Sequence, residues 1–376
     1  MDLSAEDIVS LRMAAQLLHA PEGNSIQQIV AGLGGIQAQD YDGAKWSIGI
    51  RLPGSTDADV EKAIANQQII RTWAYRGTLH FLAAADVSWI LPLLAPLVIA
   101  TNQRRYGQLR LDKTTFEKSN RLIRRFLEAE ERPRTRNEIC TLLEKQGIST
   151  QGQRAPYLLQ RAALAGLICL GPNRGRESTY MSLPRQNESA GFNTTDALTM
   201  LAERYFTSHG PATVHDFCWW SGFPASLAWQ ALGNASFLHS ITTGNNKLWT
   251  GRDQQGAVAA PCTQSALLLP PFDEYLLGYK DRSAALDPAF AKTVNAGGGM
   301  LKPVIIVNGK VVGVWRQNKN KAPRTILVAP FRVLSKDETR AMETIAARYG
   351  CFCETSVEIQ QGPIQSPIDP VSARRR

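Results

Sequence analysis

The chain alternates between segments with apolar residues at helical spacing and short segments with apolar residues at alternate positions. Up to Thr250 the pattern repeats, because amphipathic helices precede a predicted β-hairpin three times. These segments are IVSLRMAAQLLHA, SIQQIVAGLGG, DADVEKAIANQQ and the hairpin IIRTWAYRGTLHFLA; NEICTLLEKQG, APYLLQRAALAG and the hairpin LICLGPNRGRESTYMSL; and TTDALTMLAERYFTSHG, VHDFCWWSG, FPASLAWQALGN and the hairpin FLHSITTGNNKLWTG. Helices followed by a hairpin are typical of winged helix-turn-helix units, so the pattern predicts three of them in tandem.

Local signals support these assignments and change after Thr250. The pairs Thr135 with Glu138 and Thr213 with Asp216 have the spacing of capping boxes that open helices. Later segments are β-rich, and the Asn-Gly pair in VNGKV predicts a tight hairpin. A β-barrel followed by the helix KDETRAMETIAARYG is the simplest arrangement of this part. The predicted fold class is α+β, with units at residues 1–115, 116–190, 191–255 and 256–376.

Length and composition are those of a soluble globular protein with several units. The chain has 376 residues, and this length exceeds that of a domain with a single hydrophobic core. Of these residues 44% are hydrophobic and 20% are charged. The most apolar window, WILPLLAPLVIA, is shorter than the roughly 20 residues that span a bilayer, and it contains two prolines. It predicts a buried helix and no membrane association. The acidic N-terminal segment MDLSAEDIVSLR lacks the features of a secretory signal, which predicts a cytoplasmic protein.

Positive charge is concentrated in one part of the chain. The 42 Lys and Arg residues against 33 Asp and Glu residues give a net charge of +9, which favours a polyanionic partner. Residues 101–136 contain eleven basic and five acidic residues, an excess of six. The basic residues there are Arg104, Arg105, Arg110, Lys113, Lys118, Arg121, Arg124, Arg125, Arg132, Arg134 and Arg136. A solvated helix face is the alternative interpretation of this run.

Metal-dependent and nucleophile-dependent chemistry lack support in the sequence. The five histidines have no cysteine or carboxylate at metal-ligand spacing, and the six cysteines are scattered as reduced thiols usually are. The nucleophile motif G-x-S-x-G does not occur, and the glycines of NAGGGM are not followed by the Lys-Ser or Lys-Thr of a phosphate-binding loop. The sequence therefore predicts neither a bound metal nor a cofactor.

The segment GGIQAQDYDG, residues 34–43, contains two glutamines separated by one small residue. Gly34 and Gly35 are expected to end the preceding helix and release the chain into an extended path. Side chains two positions apart in an extended segment point to the same side, so the amides of Gln37 and Gln39 would converge. Convergent amides can hold one water molecule and direct carbonyl dipoles at a positive charge. Tying down a loop is the alternative role.

Five segments, in this order, resemble hallmarks of the AlkZ and YcaQ group of bacterial DNA glycosylases: GGIQAQ, RTWAYRGTLH, GPNRGREST, LPPFDEYLLGYKDRS and KPVIIVNGKVVGVWR. The similarity extends from about residue 8 to about residue 350. It implies three tandem winged helices and a C-terminal β-barrel that form a concave basic DNA channel, with a Gln-x-Gln motif at its centre. Gln37 and Gln39 match that motif as catalytic residues. Gln39 stands where the YcaQ branch carries aspartate, which places the chain nearer the AlkZ-like branch.

The resemblance implies a monofunctional DNA glycosylase of base excision repair that hydrolyses the N-glycosidic bond of N7-alkylated purines, including those in interstrand crosslinks. A purine alkylated at N7 is already cationic, so its departure leaves an oxocarbenium-like sugar and requires no general acid. Positioned water and amide dipoles suffice for this reaction. In an extended strand Asp40 should face away from the glutamines, whereas Asp42 should return to their side and could assist.

Further residues are expected to meet the DNA or the lesion. The expected phosphate or minor-groove contacts are Lys45, Arg51, Arg71 and Arg76 near the motif, and Asn173, Arg174 and Arg176 at the tip of a predicted hairpin. The expected lining of the lesion site consists of Asp42, Trp46, Asp273, Glu274 and Tyr275. Core packing is the alternative for Trp46 and Trp73, and a structural role is the alternative for the acidic pair.

The expected partner is double-stranded DNA carrying alkylated or crosslinked purines, bound by a monomer at the nucleoid in the bacterial cytoplasm. A non-catalytic winged-helix transcription regulator is the alternative function. A regulator would bind a specific sequence, usually as a dimer on a palindrome, and would not depend on either glutamine. The Gln-x-Gln motif and the lack of an evident dimerisation helix favour the glycosylase.

Overall fold

The computed structural model describes residues 3–19, 23–130, 132–183, 193–244, 246–251, 266–297, 299–318 and 324–362. The described α-helices are α1 (Ala5–Ala15), α2 (Ile26–Gly32), α3 (Tyr41–Arg51), α4 (Asp57–Ala65), α5 (Val87–Gln108), α6 (Lys113–Glu128), α7 (Arg136–Lys145), α8 (Arg154–Leu164), α9 (Thr194–His209), α10 (Val214–Ser221), α11 (Ala225–Asn234), α12 (Glu274–Leu277), α13 (Ala291–Val294) and α14 (Lys336–Phe352). The described strands are β1 (Ile36–Gln37), β2 (Ile69–Trp73), β3 (Leu79–Ala83), β4 (Arg134–Thr135), β5 (Ile168–Arg174), β6 (Glu177–Ser182), β7 (His239–Thr243), β8 (Asn246–Thr250), β9 (Ala266–Leu269), β10 (Asn295–Gly297), β11 (Met300–Leu301), β12 (Val304–Val307), β13 (Lys310–Asn318), β14 (Arg324–Pro330) and β15 (Val357–Gln361).

Several predicted helix starts and turns follow from local chemistry. Thr135 accepts a hydrogen bond from the backbone N–H of Glu138 at the start of α7, and Thr213 plays the same part at the start of α10. Both predicted capping boxes are therefore confirmed. Asn308 and Gly309 have φ angles of 48° and 75°, the left-handed pair that a two-residue turn needs between β12 and β13. The predicted Asn-Gly hairpin is also confirmed.

One antiparallel sheet joins the first two predicted hairpins. Its strand order is β1-β3-β2-β5-β6-β4, and β2 meets β5 at the pair Arg71 and Leu170. The Gln-x-Gln segment begins in β1, whereas Asn173 and Arg174 lie in β5 beside the turn that leads to β6. The candidate catalytic segment and the predicted DNA-contacting hairpin therefore belong to one continuous sheet.

The C-terminal part contains a second sheet with the order β15-β14-β13-β12-β9. Its pairs are antiparallel except β14 with β15, which are parallel. Among the described residues these pairings run from β15 at one edge to β9 at the other, so closure into a barrel stays a prediction. The predicted C-terminal helix is confirmed as α14. It lies between β14 and β15 in the sequence and packs on this sheet.

The N-terminal segment and the C-terminal sheet share one hydrophobic core. The helices α2 and α3 and the strand β1 contribute buried side chains to the same cluster as β9, β12, β13 and α14. The Trp46 indole N–H donates to the Leu268 carbonyl across this contact, at 2.8 Å. Gly49 is required there, because a Cβ would lie 2.6 Å from the ring of Phe352. This shared core places the segment that follows β9 directly against the Gln-x-Gln segment.

A second core forms around α5, which contains the predicted apolar window. The helix includes Pro92 and Pro96, and its buried face packs with α9, α10 and α11. By length and composition alone α5 could cross a membrane, a property that it shares with the core helices of soluble proteins. The predicted helix is confirmed as α5, and one face of it is buried in this second core.

A third core packs α6, α7 and α8 on β5. The boundary predicted between residues 115 and 116 falls within α6, and the boundaries after residues 190 and 255 lie outside the described residues. The division into four units therefore stays a prediction. The helix pairs and hairpins within those units are present, since β5 with β6 and β7 with β8 form the predicted antiparallel pairs.

Candidate active site

The two glycines of GGIQAQ allow a turn that other residues could not make. Gly34 and Gly35 have φ angles of 74° and 133°, and a Cβ on Gly35 would lie 2.9 Å from a side-chain carbon of Leu82. The Tyr75 hydroxyl donates to the Gly34 carbonyl at 2.6 Å and fixes this turn. The predicted end of the helix is confirmed, because α2 stops at Gly32 and the chain enters β1.

Gln37 is held through both its backbone and its side chain. It pairs with His80 on β3, and its backbone N–H donates to Glu274 Oε1 at 3.1 Å. Arg76 Nη2 donates to Gln37 Oε1 at 3.2 Å. Since a guanidinium can only donate, this contact fixes which amide atom is the oxygen. Gln37 is only 6% exposed, and its carbonyl oxygen accepts no second hydrogen bond from the described residues.

Gln39 is exposed, in contrast to Gln37, and is anchored differently. Its Oε1 accepts the backbone N–H of Leu79 at 3.3 Å. The intervening Ala38 donates to the Leu79 carbonyl at 2.7 Å, and its own carbonyl accepts from Arg71. The backbone between the two glutamines is therefore clamped on both sides, and each amide oxygen is oriented by one N–H group.

The chain does not remain extended beyond Gln39. The helix α3 begins at Tyr41, and Asp40 caps it by accepting the backbone N–H of Gly43 at 2.8 Å. Asp42 lies in the first helical turn, where it is exposed and 3.7 Å from Lys45 Nζ. The prediction that Asp42 returns to the glutamine side of an extended strand is wrong, because the capping carboxylate of Asp40 has already turned the backbone into a helix.

Three basic residues predicted to contact phosphate are buried among protein partners. Lys45 Nζ lies 2.9 Å from Asp57 and 2.7 Å from Glu61. The guanidinium of Arg71 donates to the Ala38 carbonyl and packs over the Tyr41 ring.

Arg51, the third, forms two hydrogen bonds with the Asp273 carboxylate, at 2.8 and 2.9 Å. The predicted phosphate contacts of Lys45, Arg51 and Arg71 are wrong, since each side chain is at most 4% exposed. Arg71 instead supports the glutamine segment from beneath.

Arg76 and the arginines of the β5–β6 hairpin are exposed, as a DNA-contacting role requires. Arg76 sits in the turn between β2 and β3 with a left-handed φ of 55°, and its Nη1 donates to the Trp219 carbonyl at 3.2 Å. Arg174 and Arg176 flank Gly175 at the hairpin tip, and Asn173 is half-buried. Their DNA contacts remain predictions.

Three residues predicted to line the lesion site belong to the interior instead. Trp46 lies in the shared core, and the Tyr275 hydroxyl donates to the Gly309 carbonyl at 2.6 Å. Asp273 is 3% exposed and is held by Arg51 and by the Ser47 hydroxyl at 2.6 Å. The lesion-lining prediction is wrong for these three residues, because each is at most 3% exposed and bonded to other parts of the protein.

Glu274 is fully buried, so it does not line an open surface, but it touches the candidate catalytic segment. Its Oε1 accepts from Gln37, and its Oε2 accepts the indole N–H of Trp220 at 2.9 Å. His209 Nε2 lies 3.6 Å from the same oxygen. Burial opposes ionisation, but His209, His80 and the Gln37 N–H together hold the pKa of Glu274 below its ordinary value.

The environment of Gln37 contains residues that the sequence did not single out. Burial, assisted by the charge of Arg76, lowers the pKa of His80 to about 4, so this imidazole is neutral at pH 7. The Trp220 ring packs at a tilt against Tyr75 with a centroid distance of 4.3 Å, and Trp219, whose backbone carbonyl accepts from Arg76, is 42% exposed. The capping signal at Thr213 located α10 but gave no sign that its last turn contacts Glu274 and Arg76, the two partners of Gln37.

The arrangement favours polar catalysis without a charged nucleophile. Two oriented amide oxygens can accept hydrogens from a water molecule and turn their dipoles toward a developing positive charge. Within the described ranges no group of three or more His, Cys, Asp or Glu side chains has the geometry of a metal site. The expectation that no metal takes part remains a prediction.

Comparison with known proteins shows the family to which this chain belongs. The sequence profile of the AlkZ-like DNA glycosylases matches residues 30–352. An interstrand DNA cross-link repair glycosylase from Streptomyces sahachiroi is 28% identical over 369 residues, which cover 92% of this chain and 96% of the relative. The structure of Streptomyces sahachiroi DNA glycosylase AlkZ has a TM-score of 0.75 at 24% identity, covering 96% of this chain and 100% of that chain, and shares the mixed α+β fold. This chain belongs to the family of AlkZ-like DNA glycosylases.

Proposed function

We propose that this glycosylase hydrolyses the N-glycosidic bond of N7-alkylated purines in duplex DNA, and that it also unhooks interstrand crosslinks at such purines. The observation that carries the proposal is the clamped Gln-x-Gln segment, in which Arg76 orients the Gln37 amide and the Leu79 N–H orients the Gln39 amide. The relative from Streptomyces sahachiroi is an interstrand DNA cross-link repair glycosylase, which supports the crosslink part of the proposal.

The chemistry of the substrate explains why amides suffice. An N7-alkylated purine carries a positive charge and leaves as a neutral base, so the bond breaks without protonation by the enzyme. The electron pair of the C1′–N9 bond goes to the purine, and C1′ becomes an oxocarbenium-like cation. Water adds to C1′ and loses a proton to solvent, leaving an abasic sugar. Gln37 and Gln39 hold that water and stabilise the cation through their carbonyl dipoles.

The carboxylates of Asp40 and Glu274, which lie near the glutamines, form hydrogen bonds within the protein. Asp40 caps α3 through the Gly43 N–H, and Glu274 is enclosed behind Gln37 by Trp220. Neither is placed as a nucleophile on the exposed side of the segment. This supports direct attack by water and a monofunctional enzyme that leaves an abasic site.

The proposed DNA surface combines Arg76, the hairpin arginines and exposed basic residues near α6. In this arrangement three winged helices and the C-terminal sheet, closed as a barrel, form a concave channel around the duplex. The exposed basic residues in and near α6 are Arg110, Lys113, Lys118, Arg121, Arg125, Arg132 and Arg136. The protein acts as a monomer in the bacterial cytoplasm on nucleoid DNA, where phosphate contacts supply much of the affinity.

Neutralising the hairpin tip is expected to weaken DNA binding and its salt dependence. In the double variant Arg174→Gln with Arg176→Gln, the slope of log K against log salt concentration should fall by about 2, because each lost phosphate contact lowers it by about 1. Fluorescence anisotropy with undamaged duplex at four salt concentrations measures this slope. Arg340→Gln, an exposed arginine on α14, is the control. An unchanged slope in the hairpin variant would remove this hairpin from the DNA surface.

The substrate class is tested with two lesions in the same duplex sequence. One duplex carries a single N7-methylguanine, and the other carries one crosslink between N7 atoms of guanines on opposite strands. We expect release of the methylated base and conversion of the crosslinked band into separate strands on a denaturing gel. Release from the first duplex alone would refute the crosslink part. If the protein binds both duplexes and alters neither, the hydrolysis proposal fails and the regulator interpretation replaces it.

A further inference from the structure

Glu274 is a buried carboxylate directly behind the candidate catalytic glutamine. It is the first residue of α12, which lies in the segment after β9. This segment packs against β1 in the shared core. One carboxylate oxygen accepts the Gln37 N–H at 3.1 Å, and the other accepts the Trp220 indole N–H at 2.9 Å. A carboxylate with no exposed surface and two neutral donors is costly to bury, so its charge requires an explanation.

Two histidines lie near Glu274, but neither is hydrogen-bonded to it at the distances observed. His209 Nε2 is 3.6 Å from Oε2, too far for a hydrogen bond, and this buried nitrogen has no hydrogen-bond partner among the described residues. The other His209 nitrogen lies 2.8 Å from the Ser208 hydroxyl. His80, beside Gln37 on the neighbouring strand, is buried and neutral. Among the described residues Glu274 therefore has no hydrogen-bonded cationic partner of the kind that Arg51 provides for Asp273.

Arg76 contacts the side chain of Gln37. Its guanidinium bonds Gln37 Oε1 at 3.2 Å, whereas Glu274 bonds the Gln37 backbone N–H. A sugar cation that forms near Gln37 is repelled by this guanidinium and attracted by the carboxylate behind it. Because Glu274 has no exposed surface and Gln37 is 6% exposed, the attraction between Glu274 and such a cation is stronger than it would be in bulk water.

We propose that Glu274 is a positioning residue of the hydrolysis, which fixes the Gln37 backbone and supplies a buried negative charge that offsets Arg76 when the sugar cation forms. This inference rests on the glycosylase function proposed above. Glu274 touches neither water nor substrate, and no bond to it forms or breaks. Its effect falls on the rate of bond cleavage and not on DNA affinity.

The test uses Glu274→Gln, which keeps the size of the side chain and removes its charge. We expect the single-turnover rate of N7-methylguanine release to fall about 10- to 100-fold, while the Kd for undamaged duplex changes by less than about threefold. Glu274→Asp, which keeps the charge at a shorter reach, should retain a faster rate than Glu274→Gln. A folded Glu274→Gln protein with the wild-type rate would overturn the inference, as would a Glu274→Gln rate above that of Glu274→Asp.

A matched control lies one residue earlier in the chain. Asp273→Asn also neutralises a buried carboxylate of this segment, but Asp273 holds Arg51 and Ser47 instead of Gln37. It should lower the Tm, with a rate per folded molecule close to the wild-type rate when assayed well below that Tm. An equal loss of rate in Asp273→Asn and Glu274→Gln would assign both to general destabilisation and overturn the specific role.

A double variant tests the charge offset. The double variant Arg76→Met with Glu274→Gln should slow base release by a smaller factor than the product of the factors measured for the two single variants. The reason is that the positive charge that Glu274 offsets is absent in Arg76→Met. A product of independent effects would contradict this part of the inference. The wild-type protein is assayed alongside: if it releases no base, the proposed function fails, whereas an active wild type with an unaffected Glu274→Gln refutes the role of Glu274 alone.

Discussion

Replacing Gln37 with alanine is expected to slow release of N7-methylguanine by about 10²- to 10³-fold, the loss that follows removal of one preorganised electrostatic group from an active site. The reason lies in the clamp around this residue. Its backbone is fixed by Glu274 and its amide by Arg76, so the carbonyl dipole points in a set direction before the sugar cation develops. Because this dipole is already oriented, it does not have to reorganise during the reaction.

The measurement is single-turnover base release with the enzyme in excess over duplex. DNA affinity should change by less than about threefold, since Gln37 is 6% exposed and contributes little contact surface. Gln39→Ala should also slow release, because it removes the second oriented amide. Gln27→Ala, which removes an exposed glutamine on α2, is the control and should retain the wild-type rate. If Gln37→Ala and the control release base equally fast, Gln37 only ties down a loop.

Replacing Arg51 with methionine is expected to lower the free energy of unfolding by about 3–5 kcal/mol, because it leaves the buried carboxylate of Asp273 without its partner. The pair is enclosed: the side chains of Arg51 and Asp273 are 0% and 2% exposed. Arg51 also donates from Nε to the Gln16 carbonyl at 2.9 Å. Urea unfolding followed by circular dichroism measures the change.

The control is an ion pair of the same chemistry on the surface. Arg332 makes two hydrogen bonds to the Glu338 carboxylate, at 2.8 and 2.6 Å, but its side chain is 49% exposed. Arg332→Met should cost less than about 1 kcal/mol, because solvent screens exposed pairs. Equal losses in the two variants would show that burial of the Arg51 pair does not matter.

The loss in Arg51→Met should shrink as the pH falls. Burial raises the pKa of Asp273, but Arg51 and Ser47 outweigh it and hold this pKa below its ordinary value of 3.8. In the wild type the carboxylate therefore stabilises the fold above pH 3.8, and this contribution is lost as the pH falls through the depressed pKa. In Arg51→Met the unpaired Asp273 takes up a proton more readily than in the unfolded chain, which stabilises the variant in acid. The two unfolding free energies should converge on acidification.

Patterns local in sequence correctly predicted several helices, helix starts and turns. The capping box at Thr135, the Asn308-Gly309 turn and the helix around Pro92 and Pro96 depend on residues a few positions apart, so the sequence displays them directly. The Gln-x-Gln segment was found for the same reason. The helix α3 was missed because Asp40 was interpreted as a residue of an extended strand, although an Asp before a helical segment is a common N-cap.

Contacts between distant residues decided the rest of the site. Arg51 was expected to meet phosphate, but its partner Asp273 lies 222 residues away in the sequence. Glu274 meets Gln37 across 237 residues, and nothing near either residue indicates the contact. A basic side chain has the same sequence signature on the surface and in a buried pair, so only the fold could separate Arg51 from the exposed Arg76.

The most direct test of the account is the fate of one N7-methylguanine in a duplex incubated with the wild-type protein. Free base is measured by mass spectrometry, and the strand is analysed on a denaturing gel before and after alkali, beside a duplex incubated alone. The account predicts free N7-methylguanine in equal amount to an abasic site that breaks only after alkali. A duplex that is fully bound but loses base no faster than the duplex alone would contradict it.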